Sequence, residues 1–139
     1  GREMMIVTLL EVAFAAGTPE PDGSVLVAGT GATAGAVACA LAVALGAYAS
    51  HGLDGENARR AGLAALFAFG HGLALQVLLR NQAGRLRLAA GAVLLAGLLL
   101  FAGSLCGAVF LGWPTRLAPA GGLLLIASWL IIAVDTFRR

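Results

Sequence analysis

Residues 61–79 read AGLAALFAFGHGLALQVLL, nineteen positions without a formal charge. About 20 apolar residues are what a helix needs to cross a hydrocarbon core of roughly 30 Å. The one histidine in this run, His71, stands between Gly70 and Gly72. An ionisable group in the middle of such a segment is costly unless it faces other protein or water. The run therefore predicts a membrane span, and it also predicts neighbours for that span to pack against.

The rest of the chain supplies them. Ser24 to Ser50, Leu88 to Trp113 and Leu117 to Val134 are three further blocks with no charged residue. Composition agrees, with 60% hydrophobic and 12% charged residues, against roughly 45–50% and about 25% in soluble domains. The fold class expected is all-α, an integral membrane four-helix bundle. Its spans fall at about 24–50, 61–79, 88–113 and 117–134, within one membrane domain over 24–139. Trp113-Pro114 suits the end of the third span, since tryptophan prefers the interface and proline stops continuation. Pro119 suits the first turn of the fourth, where its missing amide costs little.

Residues 1–23 read as a separate extension. Met4 to Ala16 is apolar but interrupted by Glu11, and it is too short to span. A short interfacial helix is expected there, ended by Pro19 and Pro21. Glu11 also argues against a signal peptide. Between the first two spans, His51 to Arg60 reads as a polar loop. The glycine beside His51 would end the first span in a left-handed turn.

All nine basic residues are arginines lying outside the four apolar blocks, and the net charge is +2. No basic face with interleaved aromatics is present, so nucleic acid is not an expected partner. Four spans place Arg2, Arg80, Arg85, Arg87, Arg138 and Arg139 on one side and Arg59, Arg60 and Arg116 on the other. By the positive-inside rule both termini are expected in the cytoplasm.

The chemistry-bearing residues within the spans are few. His71 and Gln76 lie five positions apart, about 140° around a helix, so they do not share a face. With Ser104 they form the candidate intramembrane polar site. A low-dielectric bundle favours neutral imidazole, which then needs a hydrogen-bond partner. The hydroxyls of Thr30, Thr33, Ser104 or Ser128, or a backbone carbonyl near a glycine, are the candidates. Gly31 and Gly35, and likewise Gly103 and Gly107, have the Gly-x-x-x-Gly spacing that lets helix backbones approach closely. Cys39 and Cys106 lie inside apolar blocks, where thiols behave as small hydrophobes. No metal-ligand spacing is present, so no metal and no cofactor are expected. A bis-histidine haem site fails on geometry, because His51 lies near a surface and His71 about 15 Å deeper.

Several motifs together resemble a family of small bacterial inner-membrane proteins whose eukaryotic relatives are called transmembrane protein 256. Leu45-Gly46-Ala47-Tyr48-Ala49-Ser50-His51-Gly52-Leu53 resembles the "LGAFGAHGL"-like end of that family's first helix. His71-Gly72-Leu73-Ala74-Leu75 is similar to the latter half of its tyrosine-glutamine-x-x-histidine pattern. Phe101-Ala102-Gly103-Ser104-Leu105 resembles its "FSGSL" motif. Pro119-Ala120-Gly121-Gly122 followed by Trp129 resembles its "TPIGG…GW" fourth helix. The resemblance runs from about Gly35 to Val134 and implies a four-helix protein of the bacterial inner membrane. Phe67 and Ala68 stand where the family pattern has tyrosine and glutamine, Ala118 replaces its threonine, and Ser128 replaces the glycine before tryptophan.

The function expected is non-catalytic. Acid–base pairs or a metal cluster normally mark an enzyme site, and the sequence offers neither. A cation-coupled exporter would need a carboxylate in the first span, and Ser24 to Ser50 has none. Two readings remain. One is an accessory or structural subunit packing in the lipid bilayer against other membrane protein subunits, with a bioenergetic complex as one candidate host. The other is a small-ligand or ion conduit built around His71 and Gln76.

Overall fold

A computed structural model describes residues 1–16, 23–80 and 84–139. Its helices are α1 (Arg2–Ala16), α2 (Gly23–Gly52), α3 (Gly55–Leu78), α4 (Arg85–Leu111) and α5 (Ala118–Arg138). The last four are long and apolar enough to cross a membrane. The architecture is all-α, and the chain is a multi-pass membrane protein. Pro19 and Pro21 lie outside the described residues.

The helices pack largely in chain order, α2 on α3, α3 on α4 and α4 on α5. α2 also reaches α4, where the rings of Tyr48 and Phe110 lie 5.9 Å apart. Among the described residues the backbones of α2 and α5 are not neighbours, and that of α1 neighbours none of the other helices. The bundle is therefore an open row with α2 and α5 at its edges. In α1 the exposed Met4, Met5, Ile6, Val7, Leu9 and Leu10 point to all sides of the helix rather than forming one stripe.

Lipid is as apolar as leucine, so helix association in a membrane depends on close packing and internal hydrogen bonds. Both are visible here. α2 crosses α3 at Gly35 and Gly72, where a Cβ on Gly35 would lie 2.6 Å from the Gly72 carbonyl oxygen. α4 crosses α5 in the same way, with a Cβ on Gly97 falling 2.9 Å from the Gly121 carbonyl oxygen. Between these crossings Leu75, Leu78 and Leu79 of the α3 end meet Leu94 and Leu98 of α4 and Leu125 of α5. The side chain of Leu79 fills the space beside Gly31 on α2 and Gly91 on α4.

Three local expectations are corrected. The polar loop expected over His51 to Arg60 is only Leu53 and Asp54, because α3 starts at Gly55. Its first turn gains from Glu56, an acid near the positive end of the helix dipole. Glu56 accepts from Arg59 Nε at 3.0 Å and lies 3.4 Å from Arg60 Nε, pairs at the helical spacings that support a helix. The left-handed glycine is Gly55 (φ 59°), not the residue beside His51; Gly52 stays helical beneath the ring of Tyr48.

The third correction concerns Gly103 and Gly107, expected to pack against another helix. Nothing lies within 4 Å of where a Gly103 Cβ would be. Gly107 instead receives the indole of Trp113 from its own segment. Gly112, at φ 68°, turns the chain back, and the Trp113 amide donates to the Gly107 carbonyl at 3.1 Å. The Gly112 amide reaches the same carbonyl, the six-to-one hydrogen bond that commonly closes a helix. Spacing alone could not separate a glycine packed by another helix from one packed by its own C-terminal turn.

Candidate functional site

α3 carries His71 at mid-span, half-buried. Its Nδ1 lies 2.8 Å from the Phe67 carbonyl oxygen, one turn earlier. Its Nε2 accepts the indole N–H of Trp129 on α5 at 3.1 Å. An indole N–H only donates and a carbonyl only accepts. The two bonds together require a neutral imidazole with its proton on Nδ1. Both ring nitrogens are thus engaged by the chain itself.

Aromatic contacts continue the arrangement. The Phe67 ring stacks on His71 with centroids 5.5 Å apart, and it meets Phe101 of α4 at 4.5 Å. Trp129 approaches His71 edge-on at 5.9 Å. Phe67 supplies this ring face without a hydroxyl. The strip Phe101, Phe67, His71 and Trp129 links α4, α3 and α5.

None of the hydroxyls expected as partners bonds His71. Thr30 and Thr33 donate to carbonyls one turn back on α2, each at 2.8 Å, the local bond such side chains favour in apolar surroundings. Ser128, fully buried, donates to the Ala90 carbonyl at 2.9 Å and pins α5 to α4. Ser104 is buried on α4, and its hydroxyl has no partner among the described residues. The backbone carbonyl that His71 does use is that of Phe67, on its own helix.

Gln76 turns to α2. Its amide nitrogen donates to the Ala32 carbonyl of α2. Close by on the same interface, the Cys39 thiol lies 3.5 Å from the Phe69 carbonyl oxygen. Of the three polar candidates, then, His71 engages α5, Gln76 engages α2, and Ser104 bonds neither. Gly31 and Gly35 both lie on the α2–α3 side, Gly35 against backbone and Gly31 against Leu79. Among the described residues no three His, Cys, Asp or Glu side chains gather as a metal site would require.

Trp129 was not legible as a partner of His71 from its position in the chain. The usable signal is its depth, since membrane tryptophans favour the interface and a buried indole N–H seeks an acceptor. A tryptophan near the middle of a span invites a search for that acceptor. Asp135 is a second residue the motifs did not single out. It lies buried at the end of α5, 3.0 Å from Arg87 Nε of α4 and 3.1 Å from Arg139 Nε.

No solved structure matches the chain. Residues 45–122, more than half of it, match the family model described as protein of unknown function (DUF423). The match runs from the last two turns of α2 into the first turn of α5. It includes His71, Gln76 and Ser104, and it stops short of Trp129. On that match, the chain belongs to the DUF423 family, whose members are proteins of unknown function.

Proposed function

We propose that the protein is a non-catalytic accessory subunit of the bacterial inner membrane, packing against other membrane-spanning subunits, in keeping with the motifs resembling transmembrane protein 256 and its bacterial relatives. The observation carrying this reading is that both nitrogens of His71 are engaged within the chain, one by Phe67 and one by Trp129. His71 thus acts as a helix tie, with no ring nitrogen left for a substrate or a relayed proton. The open edges of α2 and α5 add support, because an unclosed row offers long faces to neighbouring spans. A conduit through His71 and Gln76 is the competing reading. The two side chains turn to different helices, α5 and α2, which favours the accessory role.

The arginine distribution supports cytoplasmic termini. A reporter fused after Arg139 is expected to be active in the cytoplasm. Gentle solubilisation of native membranes followed by a native gel tests the accessory role. Co-migration with a larger complex is expected, and migration solely as a small homo-oligomer counts against it. Ion flux through purified protein in liposomes, lost in His71→Leu, would instead establish the conduit.

A further inference from the structure

The apolar parts of α4 and α5 end together, and beyond them lies a cavity of about 440 Å³. Its lining is Gly84, Arg85, Leu86, Asp135, Arg138 and Arg139. Volumes of roughly 300–1,000 Å³ are usual for small-molecule sites. Asp135 is the sole carboxylate side chain in this lining, and it is already held by Arg87 and Arg139. Arg85 and Arg138 have no ion-pair partner among the described residues. The cavity therefore carries an excess of positive charge from guanidinium groups.

The other end of the bundle is different. There two of the three arginines, Arg59 and Arg60, share Glu56, and Arg116 has no ion-pair partner among the described residues. Two further features add to the asymmetry. Gly84 caps α4 without a side-chain hydrogen bond, so the first amides of a 27-residue helix open toward this end. Helix starts favour anions. Guanidinium groups match phosphate oxygens through paired N–H bonds.

We propose that this cavity binds a phosphate group, with Arg85 and Arg138 as the primary contacts and Arg139 completing the wall. Its place just beyond the apolar stretches of both helices sets it at headgroup depth. The phosphate of an anionic phospholipid reaches it from the bilayer, and free phosphate reaches it from water. The Arg87–Asp135–Arg139 cluster holds α4 and α5 together beneath it, so the site is anchored by an ion pair it does not consume. The proposal is independent of the accessory reading.

The test uses the full chain in neutral detergent, offered phosphatidylglycerol, phosphatidylcholine or inorganic phosphate separately. Native mass spectrometry counts bound lipid, and thermal melting is read in parallel. Preferential retention of phosphatidylglycerol is expected. Arg85→Gln with Arg138→Gln should weaken it by about fivefold for each arginine removed. Arg59→Gln with Arg60→Gln should leave it unchanged. Arg85→Lys with Arg138→Lys keeps the charge but not the paired N–H geometry, and should bind more weakly than the parent yet more tightly than the glutamine pair, which separates loss of the site from loss of the fold. Stabilisation by inorganic phosphate that depends on the same two arginines, without lipid retention, assigns the site to free phosphate. Wild-type binding of both phosphatidylglycerol and phosphate by the double glutamine variant overturns the proposal.

Discussion

Trp129 donates its indole N–H to His71 Nε2 across 3.1 Å, joining α5 to α3 although the two backbones are not neighbours. Trp129→Phe keeps the aromatic contact and removes the donor. Hydrogen bonds between membrane helices contribute about 0.6 kcal/mol on average and up to about 1.7. A loss within that range is expected on unfolding in mixed micelles. Adding Trp129→Phe to His71→Leu should cost less than it does alone. A variant as stable as the parent would show that the bond contributes nothing.

The glycine crossings give a contrast. Gly35→Ala places a methyl group 2.6 Å from the Gly72 carbonyl oxygen and 2.9 Å from Leu75 Cβ. Backbone cannot move aside as a side-chain tip can, so overpacking of about 1–3 kcal/mol is expected. Gly103→Ala meets open space and should be neutral, or stabilising through the better helix propensity of alanine. Melting temperatures of the two variants, measured side by side, check the difference.

The apolar blocks made four long helices legible in the sequence, because span length is set by bilayer thickness and charge exclusion. Helix ends were less legible. Glu56, Arg59 and Arg60 read as loop residues by polarity, yet their mutual pairing lets them form the first turns of α3. The site was legible in part. Uncharged surroundings marked His71 as needing a partner, but a donor 58 residues away depends on which helices flank α4. Gly35 could be nominated by spacing. Its counterpart Gly72 could not, since nothing in a single chain shows which glycines face one another.

Ser104 provides a third prediction. Its hydroxyl is buried without a partner among the described residues, and a polar group left in that state costs about 1–3 kcal/mol. Ser104→Ala removes the group and opens little space. It should raise stability, by up to about 1 kcal/mol after allowing for local rearrangement of the hydroxyl. A fall in the melting temperature would mean that the hydroxyl has a partner in the bilayer.

His71 and Gln76 can be tested for joint action. They bond to α5 and α2 respectively, without a shared partner. Stability losses in His71→Leu and Gln76→Leu should therefore add, within about 0.3–0.5 kcal/mol, in the double variant. A larger coupling energy would indicate a common network of the kind a conduit needs.

The row arrangement bears on how the molecule is made. Each span rests on the one synthesised just before it, and chains form units from the N-terminal side as they emerge. The hairpin of α2 and α3 can close while α4 is still being inserted, and α4 can dock before α5 exists. Contacts close in sequence form without the delay of long loop closure. Trp129 and Asp135 arrive on the last helix, one reaching back to α3 and the other to the start of α4. The contacts thus permit assembly in the order of translation, with α5 closing the row last.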